Sequence, residues 1–454
     1  MRSGRWKLLS MVLTGVLLLS ACGSGESVQN AAFEEAPAAD TEESVADTEE
    51  QAAATGKDET EEQTADTGKE ESASKEKESG MVIPDVSIEP KEIPASDAME
   101  FVKNMKVGWN LGNTLEAHNG ANPGDELSTE TCWGNPETTK EMIDAVKEAG
   151  FNTVRVPVTW YNHTQKNADG SYTVSEVWLD RVQEVVDYAY DNGMYVILNT
   201  HHDVSMDDGY YPDSAHYEQS EKVLKSVWTV MAERFRDYDE HLILESLNEP
   251  RLAGTEYEWN FAESSAECKD SADCINRLNQ LFVDTVRADG GKNAERYLMV
   301  PGYDASPAGA LSDLFVLPQD SVEDKLIIST HAYIPYNFAL QSPSEGGSTE
   351  QFSADSVTSR MEIDTTLDKL YKKYVSQGIP VVMGEFGARN KNNNLQQRVD
   401  YYAYYIAAAR ARGISCCIWD NGSFGGNGEQ FGVLRRTKVQ WIFPDIVEAI
   451  MKYA

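Results

Sequence analysis

Residues 242–250 have the sequence LILESLNEP, in which a short apolar run ends in two polar residues and a proline. The run has the length and the aliphatic content of a buried strand. Comparable runs recur along the chain, with stretches of helical periodicity between them. The predicted strands are residues 107–110, 153–157, 195–200, 242–247, 297–301, 326–330, 380–384 and 414–419.

Helical stretches between these strands predict that the chain is built of repeated βα units. Several of these stretches end at a glycine, which is typical of a helix C-terminus. Repeated βα units in a folded part of about 360 residues predict an α/β fold, a (β/α)8 barrel. A doubly wound sheet is the alternative, but residues 108–112 do not match the glycine-rich phosphate turn that usually follows its first strand. The predicted helices are residues 136–149, 175–192, 219–235, 274–288, 308–316, 361–377 and 395–412.

Charge is distributed unevenly along the chain. The 454 residues contain 39 Lys and Arg against 75 Asp and Glu, a formal net charge of −36. Residues 23–80 alone carry 18 acids, 4 bases and a single aromatic residue, Phe33. Such a segment cannot bury enough apolar surface to offset its chain entropy, so we expect it to be disordered. An acidic chain of this kind also lacks the basic surface that binding a nucleic acid requires.

The N-terminal residues resemble a bacterial lipoprotein signal. Arg2, Arg5 and Lys7 precede the mostly apolar residues 8–19, and LSAC at 19–22 resembles a lipobox. The resemblance implies a signal peptide at residues 1–21, lipidation of Cys22, export, and anchoring at the bacterial cell envelope through lipid alone. Residues 22–92 would then be a lipidated cysteine with a disordered acidic linker, and residues 93–454 the folded (β/α)8 domain. An ordinary cleaved signal is the alternative.

Polar residues at the strand ends predict where the chemistry takes place. In a (β/α)8 barrel, the C-terminal ends of all eight strands converge on one mouth. The concentration of histidines, carboxylates and amides there is far greater than solvated loops would supply. The residues at these ends are Asn110, Asn113, Arg155, His201, His202, Asp203, Asn248, Glu249, Tyr303, Asp304, His331, Tyr333, Glu385, Trp419, Asp420 and Asn421.

Two carboxylates on opposite walls of one pocket are the arrangement that a retaining glycosidase needs. Glu249 follows the fourth predicted strand and Glu385 the seventh. One carboxylate attacks the anomeric carbon while the other protonates the leaving oxygen, at a separation of about 5–5.5 Å. Arg155 can keep one of them ionised as the nucleophile, and we expect the less compensated one to stay protonated as the acid.

Six motifs occur in the order and spacing found in glycoside hydrolase family 5, and residues 96–454 resemble that family throughout. The opening motif most resembles the endo-β-1,4-glucanase and xyloglucanase branch. The motifs are GWNLGN at 108–113, TVRVPV at 153–158, NTHH at 199–202, LNEP at 247–250, GEFG at 384–387 and IWD at 418–420.

The resemblance implies roles for individual residues. Glu249 would be the acid/base and Glu385 the nucleophile of a double displacement. Arg155 and Tyr333 would hydrogen-bond Glu385, and His331 would orient Glu249. Asn248 would bind a sugar 2-hydroxyl, and Trp419, followed in relatives by a cis peptide, would form the subsite floor. The implied substrate-binding set is Asn113, His118, Trp133, Arg155, His201, His202, Asn248, His331, Tyr333 and Trp419.

Alternatives follow from the same residues. A mannan- or xylan-directed endo-hydrolase of the family would use the same carboxylates. A metal-dependent barrel hydrolase could use His201, His202, Asp203, His331 and Glu385. Such enzymes typically carry a His-x-His pair on strand one, which here ends in asparagine. We therefore expect no metal, no cofactor, a polysaccharide substrate and a monomeric protein.

The remaining cysteines suggest two kinds of thiol. Cys268 and Cys274 lie close together in a stretch expected to be a polar loop, where an oxidising compartment would allow a disulfide. Cys416 and Cys417 lie in an apolar run and are expected to be buried thiols.

Overall fold

A closed barrel of eight parallel strands forms the centre of the protein. The computed structural model describes residues 80–119, 125–425 and 428–454. Each strand pairs with its neighbours in chain order, and β1 also pairs with β8, which closes the barrel. The predicted barrel is confirmed. Its strands are β1 (Val107–Leu111), β2 (Thr153–Val156), β3 (Tyr195–Asn199), β4 (Leu242–Glu245), β5 (Leu298–Pro301), β6 (Leu326–His331), β7 (Val381–Phe386) and β8 (Ser415–Asp420).

Ten helices surround or close the barrel among the described residues. Five of these helices have a serine N-cap, whose side chain accepts a hydrogen bond from the backbone N–H three residues further along. The serines are at positions 96, 175, 265, 306 and 356. The helices are α1 (Asp97–Asn104), α2 (Lys140–Glu148), α3 (Glu176–Tyr190), α4 (Tyr217–Arg234), α5 (Ala266–Asp289), α6 (Pro307–Leu311), α7 (Tyr336–Ala339), α8 (Val357–Lys373), α9 (Leu395–Arg410) and α10 (Pro444–Tyr453).

The main difference from prediction in the helices concerns α5 and its cysteines. The helix starts at the Ser265 cap, so Cys268 and Cys274 lie on one helix and not in a loop. Residues six apart on a helix point to different faces, because each residue turns the chain by about 100°. Both thiols are buried and unoxidised, so the disulfide interpretation is wrong. Cys416 and Cys417 are buried thiols of β8, as predicted.

Helix α1 closes the N-terminal end of the barrel interior. Phe101 stacks on Tyr297 with ring centroids 3.8 Å apart, and its edge meets Tyr195 at 5.2 Å. Met105 and the inward-facing aliphatic residues of the strands complete a separate apolar cluster. This end of the interior is therefore an apolar core, distinct from the larger core that lies between the strands and the outer helices.

An extended segment at residues 80–95 lies along the outside of α9 and α10, and we refer to it as the strap. The Val82 backbone is hydrogen-bonded at both its N–H and its carbonyl by Gln396, at 3.0 and 2.7 Å. Further along, Val86 N donates to Tyr453 Oη at 2.7 Å, and Lys91 N donates to Ala411 O at 2.7 Å. Apolar strap residues also pack on the core. Residues 80–92, which we assigned to the disordered linker, thus belong to the folded domain.

The signal at 1–21, Cys22 and linker residues 22–79 lie outside the described residues. Across the described ranges, no helix combines the length and the apolar character needed to cross a membrane.

Candidate active site

Arg155 is the centre of the polar half of the barrel interior. It lies on β2 and is fully buried, and each of its N–H groups faces a partner. Nε donates to Glu245 Oε2 at 2.8 Å, and Nη1 donates to Glu385 Oε1 at 2.6 Å and to Asn110 Oδ1 at 3.0 Å. Nη2 donates to Asn248 Oδ1 at 2.7 Å and lies 3.4 Å from His331 Nε2. The predicted pairing of Arg155 with one catalytic carboxylate is present.

Glu385 is held on three sides at the end of β7. Besides Arg155, it accepts a hydrogen bond from Tyr333 Oη at 2.9 Å on Oε2. His201 Nε2 lies 4.0 Å and His331 Nδ1 3.8 Å from Oε1. Glycine at the preceding position lets the His331 ring approach closely, since a Cβ on Gly384 would lie 3.0 Å from His331 Nε2. The carboxylate is thereby fixed in position and faces the mouth as an acceptor.

Glu249 is paired with His331 through a hydrogen bond of 2.9 Å between Oε1 and Nδ1. Burial raises the pKa of Glu249, but the hydrogen bond and charge of His331, with that of Arg251, outweigh it and leave this pKa lowered. Burial lowers the pKa of His331, but Glu385 and Glu249 outweigh it and leave that pKa raised. These directions favour the ionised form of Glu249 beside His331. His331 is the partner that the family resemblance implied for Glu249, but the lowered pKa is opposite in direction to our expectation that the less compensated carboxyl stays protonated.

The two carboxylates face each other across a short gap. Oxygens of Glu249 and Glu385 and a ring nitrogen of His331 all lie within 4.8 Å of one another. An inverting enzyme needs about 6.5–9.5 Å between its carboxyl groups to admit a water molecule, whereas a retaining enzyme needs about 5–5.5 Å. The gap is of the retaining kind.

His201 has a defined tautomer because of the amide beside it. Asn199 Oδ1 accepts the Val158 N–H at 3.1 Å, so its Nδ2 must face Glu245 Oε2 at 3.0 Å and His201 Nδ1 at 3.1 Å. His201 Nδ1 is then an acceptor, and its Nε2 carries the proton toward the mouth. The ring also lies parallel to Trp419, at 5° and a centroid distance of 5.9 Å.

A second group of rings lies beside His202. The rings of His118 and Trp133 are 5.8 and 5.6 Å from that of His202, and 5.3 Å from each other. Tyr161 Oη bonds His118 Nδ1 at 3.0 Å, and Trp133 Nε1 donates to the carbonyl of His118 at 2.8 Å. The structure thus brings together His118, Trp133 and His202, and it adds Tyr161, which the sequence interpretation did not include.

Asn113 is the predicted substrate-binding residue whose contacts in the described part of the chain are made by its main chain and not by its side chain. Its backbone is in the left-handed region with φ 54°, and its N–H donates to Glu116. Its carbonyl accepts Asn135 Nδ2 at 2.8 Å. These contacts fix the turn after β1 through the main chain, and they give no support to a role of the Asn113 side chain in sugar binding.

Comparison with known proteins places this geometry in a family. The family model for cellulase (glycosyl hydrolase family 5) matches residues 118–425. Endoglucanase 1 of Ruminococcus albus is 43% identical over 361 residues, which cover 79% of this chain and 82% of that protein. The chain belongs to glycoside hydrolase family 5. The predicted membership is confirmed.

Solved structures of family 5 hydrolases superpose closely on this one. A family 5 lichenase from Caldicellulosiruptor sp. F32 is 55% identical with a TM-score of 0.80, over 82% of this chain and 99% of that one. XEG5A, a xyloglucan-specific endo-β-1,4-glucanase from a metagenomic library, is 37% identical with a TM-score of 0.70, over 79% and 99%. The similarity spans the whole barrel of this family 5 hydrolase.

The metal-site alternative does not match the donor set of this family 5 hydrolase. Of its five residues, Asp203 is turned away and accepts the backbone N–H groups of Trp160 and Tyr161, both at 2.7 Å. Glu249, His331 and Glu385 do lie close enough to hold an ion. However, the Arg155 cation already lies 2.6 Å from Glu385, and a metal ion would have to bind beside that positive charge.

Sequence reasoning missed several buried residues that support the site. Glu245 was counted as part of an apolar strand, although a carboxylate among aliphatic residues signals a buried partner. Asn199 and Ser329 both bond it. The partly buried Arg251 was also missed: its Nη1 lies 3.8 Å from Glu249 Oε2, and its guanidinium stacks on Trp259 at 4.0 Å. The cis peptide implied after Trp419 is not found: in the described ranges the cis bond is Ile334–Pro335.

Proposed function

We propose that the protein is a retaining endo-β-1,4-glucanase in which Glu385 is the nucleophile and Glu249 the acid/base. The observation that carries this proposal is the pair of carboxylates within 4.8 Å, one bound by Arg155 and the other by His331. The relatives named endoglucanase, lichenase and xyloglucan-specific endo-β-1,4-glucanase support the β-1,4-glucan backbone as substrate.

In the first step, Glu385 Oε attacks the anomeric carbon as the bond to the leaving oxygen breaks, and Glu249 gives its proton to that oxygen. Glu385 loses its negative charge as the glycosyl ester forms, and Glu249 becomes the carboxylate. In the second step, Glu249 takes a proton from water, whose oxygen attacks the anomeric carbon and releases Glu385. The two inversions give net retention.

The proton of the first step is shared between Glu249 and His331. A sugar that displaces water from the mouth lowers the local dielectric, and separated charges then cost more. A protonated Glu249 beside a neutral His331 is the uncharged arrangement of the pair. Substrate binding therefore favours the protonated form of Glu249 that can act as the acid, and it opposes the lowering of the Glu249 pKa by His331 and Arg251.

Neighbouring donors are suited to the sugar hydroxyls. Asn248 Oδ1 accepts from Arg155, so its Nδ2 is the atom available to a hydroxyl of the reacting sugar. His201 presents Nε2–H, and the ring of Trp419 offers an apolar face for a pyranose. A hydrogen bond to the 2-hydroxyl that strengthens in the transition state would contribute to catalysis.

The test is the stereochemistry of hydrolysis combined with one conservative variant. NMR of a β-glucan digest is expected to show the β-anomer first, and Glu385→Gln is expected to lose about 10⁴-fold or more in kcat. Asp320→Asn is the matched control, since Asp320 forms a buried pair with Arg287 at 2.7 Å away from the mouth. Early appearance of the α-anomer, or an active Glu385→Gln, would refute the proposal.

A panel of polysaccharides separates the backbone specificities. We expect hydrolysis of mixed-linkage glucan, xyloglucan and soluble cellulose derivatives, with internal cleavage visible as a rapid fall in viscosity. Mannan or xylan as the preferred polymer would favour the family alternative. Activity that disappears with a chelator and returns with a divalent cation would favour the metal-dependent one.

We also propose that Cys22 carries a lipid that anchors the enzyme to the cell envelope. We further propose that the active enzyme is a monomer. The support is the lipobox-like sequence at 19–22. A protein labelled with palmitate in a bacterial host should partition with membranes, and Cys22→Ser should abolish both properties. Light scattering of residues 80–454 tests the monomer.

A further inference from the structure

Glu245 lies directly beneath the catalytic pair and has no contact with the mouth. It is the last residue of β4, four residues before Glu249, and is fully buried. Its Oε2 accepts from Arg155 Nε at 2.8 Å and from Asn199 Nδ2 at 3.0 Å, and its Oε1 accepts from the hydroxyl of Ser329. Three strands therefore direct donors at one carboxylate that no substrate could reach.

The Arg155 cation lies between two carboxylates as a consequence. Nε faces Glu245 below, and Nη1 faces Glu385 above at 2.6 Å. A buried ion pair that lacks one partner leaves an uncompensated charge, which is strongly unfavourable. The positive charge of Arg155 is thus shared between a carboxylate that reacts and one that does not.

We infer that Glu245 is a positioning residue that orients the Arg155 guanidinium and shares its charge, so that Glu385 is ionised without being bound so tightly that its nucleophilicity is lost. This inference rests on the proposed function of Glu385. The same carboxylate orients Asn199, whose amide sets the tautomer of His201. Glu245 therefore acts on two of the groups that face the nucleophile.

Loss of the Glu245 charge has a predictable direction. Without it, Glu385 is the one of the two carboxylates that still pairs with Arg155, the local potential becomes more positive, and the ionised form of Glu385 is favoured. The acid limb of kcat/KM should move to lower pH while kcat falls. In the described part of the chain, the charged and titratable groups near Glu385 are Arg155, His201, Glu249, His331, Tyr333 and the Cys417 thiol of β8.

The experiment compares Glu245→Gln, Glu245→Asp and the wild type on a soluble β-glucan over a range of pH. Glu245→Gln is expected to lose about tenfold to a hundredfold in kcat with KM within about threefold, because misplacing a catalytic group costs rate more than binding. Its acid limb should shift down by about half a pH unit or more. Glu245→Asp keeps the charge, so its acid limb should stay at the wild-type pH while kcat recovers in part.

Asp320→Asn is the control for losing the anion of a buried arginine pair, since the Asp320 and Arg287 side chains are 5% and 8% exposed. It should lower the melting temperature and leave the pH profile unchanged. Glu245→Gln with a wild-type kcat and acid limb would overturn the inference. If Glu245→Gln does not fold, a wild-type kcat in Glu245→Asp would overturn it as well. An inactive Glu385→Gln alongside either result shows that only this inference has failed.

Discussion

The two ends of the barrel interior are built from the same eight strands and have opposite chemistry. At the N-terminal end, α1 seals an apolar cluster in which Phe101 stacks on Tyr297. At the C-terminal end, Arg155 binds Glu245 and Glu385, and His331 binds Glu249. The change from one to the other takes place within a single strand: β4 contributes Ile243 to the apolar cluster and Glu245 to the polar network.

The comparison shows how stability and function are separated along the barrel axis. Burying aromatic and aliphatic side chains is favourable and non-directional. Burying an ion pair is weak evidence for stability, because the desolvation penalty can exceed the Coulombic gain. We therefore expect changes at the apolar end to affect folding, and changes at the polar end to affect the reaction.

The largest expected effect comes from Arg155→Lys at the polar end. Lysine keeps the charge but not the planar set of five N–H donors, so it cannot serve Glu245, Glu385 and Asn248 together. We expect kcat/KM to fall about 10³-fold. Steady-state kinetics on a soluble β-glucan measures the loss. A variant within about threefold of wild type would mean that charge alone, and not donor geometry, organises this end.

The next effect is expected from Phe101→Ala at the apolar end. Removing a buried ring leaves a cavity and should cost about 3–4 kcal/mol of unfolding free energy, measured by urea denaturation. Phe101→Leu is the matched control and should lose less. The kcat of the folded fraction should remain at the wild-type value. A large change in kcat without a change in stability would show that the two ends are coupled.

A smaller effect concerns Glu116, a buried carboxyl in the turn after β1. Burial raises the pKa of Glu116 to about 7 from its ordinary 4.5, despite the backbone N–H groups of Asn113 and Thr114 that oppose the shift. A carboxyl whose pKa is raised in the folded state stabilises it fully below pH 4.5, and this contribution is lost as the pH rises through 7.

Glu116→Gln removes that titration. The unfolding free energy of the wild type relative to this variant should therefore fall by about 2 kcal/mol between about pH 5 and pH 7.5. Urea denaturation of both proteins at the two pH values measures the difference. If the unfolding free energies of the two proteins change with pH in the same way, Glu116 is already ionised in the folded state. The C-terminal end of the barrel would then tolerate buried charge more readily than we infer.

The repeating strands and helices could be predicted from the sequence. Interactions between residues distant in sequence could not. Each barrel strand was located to within about two residues, because aliphatic runs bounded by polar residues are a local signal. The residues at strand ends followed once the barrel was known. Glu245 was missed because its partner Arg155 lies 90 positions away, and the lowered pKa of Glu249 depends on a hydrogen bond to His331 across 82 positions.

Elements without a distinct local pattern were also missed. The strap is extended and proline-rich, and what distinguishes it from a linker is its contacts with residues distant in sequence, such as Gln396, Tyr453 and Ala411. The α5 cysteines were assigned to a loop because the polar residues around them hide a helix whose buried face includes Cys268 and Ile275. In both cases tertiary packing overrides a composition typical of loops.

The strap is the part of the folded domain that tension applied at residue 80 would reach first. Its hydrogen bonds through Val82, Val86 and Lys91 follow one another along the chain, so tension applied at residue 80 would load them one at a time. Contacts arranged in this way break one after another. In contrast, β1 is hydrogen-bonded along its length to both β2 and β8, so these bonds would have to break together. The segment before α1 can therefore yield under load while the barrel, and with it the spacing of Glu249 and Glu385, remains intact.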